Sequence, residues 1–300
     1  MTRALLTAWL LGCVAFAAHA GPTVATASGR AEGAQANGVA VFKGLPYAAA
    51  PVGTLRWRAP QPAHAWPGTR DATRFGPACT QKRWPSLEGG GDVGPTSEDC
   101  LFVNVWTPRA ERAAALPVMV WIHGGAFVIG SGDLPINDGT ALARRGVVVV
   151  SFNYRLGPFG FVVHPALERE AATPPATANF GLQDQIAALR WVQRHIAAFG
   201  GDPKRVTIFG ESAGAQSVLA LMASPPARGL FQQAIAQSPY GLPSHTREQA
   251  RATGVKLADS LGLPGARASA AQLRAVPAER FAMLEDPKLT LAPSPARRCR

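Results

Sequence analysis

The stretch Val206-Thr207-Ile208-Phe209-Gly210-Glu211-Ser212-Ala213-Gly214 limits what this chain can fold into more than any other. Val206 to Phe209 is apolar and β-prone, and the small residues from Ala213 to Ser224 read as a helix. Between the two lies G-x-S-x-G, a pattern that sets a serine on a strained strand-to-helix turn at the top of a sheet. Such a turn lifts the Ser212 hydroxyl clear of the backbone, where a base can reach it. Gly210 and Gly214 lack the Cβ atoms that would collide as strand and helix close up. The first N–H after the serine, that of Ala213, points toward where an oxyanion would form. The stretch therefore predicts a nucleophile, Ser212, and one oxyanion donor, Ala213.

The remaining elements are those such a turn needs. Val39 to Tyr47 reads as strand and turn, and Leu101 to Trp106 as a strand with period two. Pro117 to Ile122 and Val147 to Phe152 are continuous apolar runs, suited to strands buried on both faces of a sheet. Gly181 to Phe199 carries Leu182, Ile186, Leu189, Val192 and Ile196 at helical spacing, and Gly200-Gly201 stops it. Pro51 to Pro67 is proline-rich and irregular. Strands alternating with helices predict an α/β fold: a mostly parallel central sheet flanked by helices, with the site at its carboxyl edge. Three hundred residues at 47% hydrophobic bury a core large enough for one such domain or much of one. The net charge of +11 comes from scattered arginines, without basic runs interleaved with aromatics, so no nucleic-acid partner is expected.

Residues 1–20 have the form of a signal peptide: Arg3, an apolar run from Ala4 to Ala17, then Ala18-His19-Ala20 as an A-x-A cleavage site. The run is too short for a membrane span. The mature chain, 21–300, is then expected to be exported, periplasmic or secreted. Leu10-Leu11-Gly12-Cys13 is a rival lipoprotein box with Cys13 as acceptor, less favoured because the apolar run continues beyond it. With Cys13 removed and Cys299 at the extreme end, Cys79 and Cys100 remain. Disulfides persist outside the cytoplasm, so a bridge between them is the simplest pairing, and two free thiols are the alternative. The segment between them, rich in Gly and Pro and containing Trp84, reads as a long surface loop.

His123-Gly124-Gly125-Ala126-Phe127 directly follows the Pro117–Ile122 strand. Small residues there let backbone N–H groups face a cavity, as in the H-G-G segments that complete oxyanion holes. His123 belongs to that loop and is not the expected base.

The chain resembles the type B carboxylesterases, the α/β-hydrolase family of para-nitrobenzyl esterases and cholinesterases. The resemblance rests on Phe199 through Gly214, on Glu98-Asp99-Cys100-Leu101-Phe102-Val103-Asn104-Val105-Trp106-Thr107-Pro108, and on Phe42 to Ala48, Asn153 to Gly157 and Asn179 to Gln185. It implies Ser212 as nucleophile, Gly125, Ala126 and Ala213 as oxyanion donors, Gly124 as the residue shaping the loop, a Cys79–Cys100 disulfide, and a buried Arg155–Asp184 pair. Ala126 stands where many relatives have glycine. The implied reaction is hydrolysis of a small-molecule carboxylic ester through an acyl-serine, with no cofactor and no metal. A catalytically silent binding module, or an amidase or thioesterase built from the same parts, are the alternatives.

The triad order in this fold is serine, acid, histidine. The one histidine after Ser212 is His245, 33 residues on, in a segment that reads as a surface loop. The triad acid and histidine are therefore expected to be absent from the chain. The chain is expected to be an N-terminal fragment, nearly inactive alone, with the C-terminal part of the fold missing and exposed strand edges that favour aggregation.

Overall fold

The computed structural model describes residues 21–82, 92–170, 178–240 and 246–284. Its centre is a sheet of seven described strands: β1 (Ala34–Ala36), β2 (Val39–Pro46), β3 (Phe102–Thr107), β4 (Leu116–Ile122), β5 (Val148–Phe152), β6 (Gly201–Glu211) and β7 (Gln233–Gln237). Their order across the sheet is β7-β6-β4-β5-β3-β2-β1. The pairings β5–β4, β4–β6 and β6–β7 are parallel; β5–β3, β3–β2 and β2–β1 are antiparallel. Five strands thus run one way, and only β1 and β3 oppose them. The antiparallel part lies early in the chain, though only β1 and β2 are joined by a short turn; parallel neighbours need crossovers, and helices supply them.

Alternation along the strands sorts residues between two faces. Val118, Val120 and Ile122 of β4, Val148, Val150 and Phe152 of β5, and Val206 and Ile208 of β6 enter the main core, each fully buried. Burial of such side chains stabilises the fold by about 1.5–3 kcal/mol apiece. Val39, Val41, Trp106 and Val149 face the other way and meet Ala143 in a smaller cluster. On that second face Trp121 of β4 and Phe209 of β6 lie ring to ring at 4.9 Å, and Ile235 of β7 is 44% exposed. β7 is the sheet's edge among the described residues.

Helix α1 (Phe180–His195) and helix α2 (Ala213–Met222) pack beside β6 and against each other. α1 ends earlier than its periodicity predicts, because Ile196–Phe199 tightens into a 3-10 turn before Gly200 takes φ +83°. β6 begins earlier than predicted, at Gly201, with a register irregularity between Gly201 and Val206. Short strands at Thr23–Thr26, Gly29–Glu32 and Thr69–Asp71 form a side sheet that no hydrophobic period announces. No helix among the described residues is long and apolar enough to cross a membrane.

The register between β4 and β6 does most to build the site. Gly210 pairs with Ile122 in parallel. The two strands therefore end together, and their next residues emerge side by side at the carboxyl edge: Ser212 after β6, His123-Gly124-Gly125 after β4.

Candidate active site

Ser212 sits at φ +54°, ψ −120°, a region that non-glycine residues rarely occupy. Its N–H donates to Gln237 O of β7 at 3.0 Å, and its carbonyl accepts Gln216 N of α2 at 3.0 Å. The turn is thus held from the neighbouring strand and from inside the helix. Gly210 and Gly214 serve as their spacing predicts. A Cβ on Gly210 would sit 2.6 Å from Gly214 C, and one on Gly214 would collide with Ile122 O. No side chain among the described residues hydrogen-bonds the Ser212 hydroxyl.

The β4 loop lies directly against this turn. A Cβ on Gly124 would fall 2.8 Å from Glu211 O and 3.3 Å from Ser212 Cβ, so glycine permits the approach. Gly125, Ala126 and Phe127 all take positive φ, at +103°, +52° and +63°. Ala126 adopts this conformation despite its methyl group, which is exposed. Gly125 O accepts Val128 N and Ile129 N, both at 3.0 Å, closing the loop on itself. The N–H groups of Gly125 and Ala126 have no acceptor among the described residues. Ala213 opens α2, where the first N–H groups of a helix lack intrahelical partners.

His123 is occupied within the loop. Its Nδ1–H donates to Gly124 O at 2.9 Å, its ring stacks on Tyr154 at 4.4 Å, and the Tyr154 hydroxyl donates to His123 O at 2.9 Å. His123 Nε2 is buried without a partner among the described residues. Burial lowers its pKa from 6.5 to about 4, so the ring is neutral at pH 7. The unfolded chain binds this proton near 6.5 and the folded chain only near 4, so stability falls as pH drops through that window. His123→Asn, which keeps a donor for Gly124 O and does not titrate, is expected to lose less stability between neutral and mildly acidic pH than the unaltered chain. Urea midpoints at the two pH values measure the difference; equal losses would show that folding does not lower the His123 pKa.

Around the site, Cys79 and Cys100 are disulfide-bonded, with Cα atoms 4.9 Å apart. Arg155 and Asp184 form a buried two-pronged pair, Nε to Oδ2 and Nη2 to Oδ1, both at 2.7 Å. The other described histidines lie elsewhere: His64 is exposed, His164 bonds Gly265 O and Ala166 N, and His195 packs on Trp191. Trp84, His245, Cys13, Cys299 and residues 1–20 lie outside the described residues. Gln81 and Gln237 carry no motif, yet Gln81 bonds the far end of the β4 loop at Gly130 and Gln237 O holds Ser212 N; Tyr154, within the Asn153–Gly157 segment, bonds His123 O at the start of the β4 loop.

The chain is similar to several known proteins. A model of the carboxylesterase family matches residues 20–296. Fumonisin B1 esterase of Sphingopyxis macrogoltabida is 48% identical over 260 residues, covering 86% of this chain and 47% of that protein. Para-nitrobenzyl esterase of Bacillus subtilis is 48% identical over 241 residues, covering 80% and 48%. A Geobacillus stearothermophilus carboxylesterase superimposes with a TM-score of 0.76 at 44% identity, covering 87% of this chain and 52% of that one. The fold is that of the α/β-hydrolases, and the chain spans about half the length of these relatives.

Proposed function

This chain belongs to the carboxylesterase family, and from that premise we propose that it carries the nucleophile and oxyanion donors of a serine carboxylic-ester hydrolase. Ser212 attacks the ester carbonyl. The N–H groups of Gly125, Ala126 and Ala213 receive the developing oxyanion, and Gly124 leaves room for the approach. The alcohol departs, and water then releases the acid from the acyl-serine. In other enzymes the loss of one such donor costs about 2.7–4 kcal/mol of transition-state stabilisation. The observation that carries this reading is the side-by-side emergence of the two loops, with Gly124 against Ser212 Cβ.

The triad's acid and histidine, in this proposal, are supplied from outside residues 1–300. Two facts support it: the Ser212 hydroxyl has no partner among the described residues, and the chain spans about half of its relatives. Residues 1–20 are proposed to direct export and to be cleaved after Ala20, leaving 21–300 as an N-terminal part of the hydrolase domain. No cofactor enters the reaction as proposed.

The test is to purify residues 21–300 and assay chromogenic acetate and butyrate esters beside an amide analogue. A serine hydrolase lacking a triad member retains only about 10³–10⁴-fold over water. Ester turnover of that order, with none on the amide, is expected. Turnover near that of a full-length relative, lost in His245→Ala, would refute the missing-base proposal.

A further inference from the structure

We infer that Gln81 is a positioning residue for the oxyanion donors, clamping their loop to the disulfide; this rests on Gly125 and Ala126 being those donors. Gln81 spends both ends of its amide on one residue 49 positions away. Its Oε1 accepts Gly130 N at 2.7 Å, and its Nε2 donates to Gly130 O at 2.8 Å and to Cys79 O at 3.0 Å. Reversing the amide would set nitrogen against N–H and oxygen against carbonyl, so the bonding fixes its orientation. The side chain is 6% exposed. Without it, a buried N–H and a buried carbonyl of Gly130 lose their partners.

Gly130 is where the donor loop closes. It takes φ +111°, and a Cβ there would lie 2.6 Å from His123 Nδ1 and 2.7 Å from Gly124 O. The far end of the loop thus rests on its beginning, next to Ser212. A shift of Gly130 moves Gly124 and, with it, the N–H groups of Gly125 and Ala126. Gln81 itself has little freedom. It follows Cys79 by two positions, and the bond to Cys100 ties that segment to the start of β3. Asn153 secures the chain just beyond, its Oδ1 accepting Ser131 Oγ at 2.9 Å and Gly132 N at 2.8 Å. Gln81 holds the loop proper.

Two variants test the inference: Gln81→Met, which keeps the length without the amide, and Gln81→Glu, which keeps an oxygen for Gly130 N. One readout is the rate at which an alkyl fluorophosphonate captures Ser212 at alkaline pH, followed by intact mass and expressed per folded molecule. The other is amide exchange over residues 124–130 against exchange in β4 and β6. With the donors displaced, Gln81→Met is expected to slow capture roughly tenfold or more and to speed exchange in the loop alone, with Gln81→Glu intermediate. A merely structural role would speed exchange across the sheet and leave capture per folded molecule unchanged, and that result would overturn the inference, as would loop exchange equal to that of the unaltered chain. Capture of the unaltered chain at a residue other than Ser212 would instead overturn the site assignment, and this inference with it.

Discussion

Replacing Ser212 by alanine is expected to remove all covalent capture by a fluorophosphonate, the largest change any single substitution here should produce. The unaltered chain is expected to take up one adduct, slowly because no side chain among the described residues bonds the hydroxyl, and peptide mapping should place it on Ser212. Alanine removes the attacking oxygen yet keeps a Cβ at φ +54°, so the backbone strain stays and stability should hardly move. Glycine removes both. Ser212→Gly should therefore lose capture while gaining stability, since strain of this kind is worth roughly 1–3 kcal/mol. Unfolding midpoints of the two variants separate chemistry from strain. An adduct that persists in Ser212→Ala would place the reactive group elsewhere.

Asp184→Ala should have the largest effect on folding. The carboxylate is fully buried and receives Arg155 Nε, Nη2 and backbone N. Arg155 is 3% exposed and lies over the Phe180 ring, with its guanidinium carbon 5.2 Å from the centroid. Removing one partner of a buried pair leaves an uncompensated charge, which costs about 3–5 kcal/mol. That is a large share of a folding free energy of roughly 5–15 kcal/mol. The pair also ties Arg155, just after β5, to α1, the helix that packs beside α2 behind the elbow. Urea unfolding should show the midpoint of Asp184→Ala far below that of the unaltered chain. A change under about 1 kcal/mol, within the range of exposed pairs, would mean that water reaches the pair in solution.

The parts of this molecule that announce themselves in the sequence are those governed by neighbours in the chain. Val206 to Gly214 shows its strand, turn and helix because each depends on a few consecutive side chains. Pro117 to Ile122 shows a buried strand because an apolar run has few other uses. The loop after it is visible because small residues cluster where backbone must face a cavity. Gln81 shows nothing of the kind: its partner lies 49 positions on, and a lone glutamine after a cysteine has no local pattern. Tyr154 sits in a recognisable segment, but its contact is hidden, since its stacking on His123 exists only once β4 and β5 lie side by side. β7 is hidden for a related reason. Gln233-Ala234-Ile235-Ala236-Gln237 is weakly apolar, and its pairing with β6 makes it a strand. The early side-sheet strands are only four residues long, and Gly29–Glu32 has no β-branched residue, so they depend on turns and partners rather than a long buried face.

The central claim is that the β4 loop and the β6 turn together cradle a tetrahedral centre on Ser212. The crystal structure of the chain after capture by an alkyl fluorophosphonate tests it most directly. The phosphoryl oxygen of the adduct is predicted to lie within hydrogen-bonding distance, about 2.7–3.1 Å, of the N atoms of Gly125, Ala126 and Ala213. An adduct on Ser212 whose phosphoryl oxygen points to solvent, with those three N–H groups turned away, would contradict it.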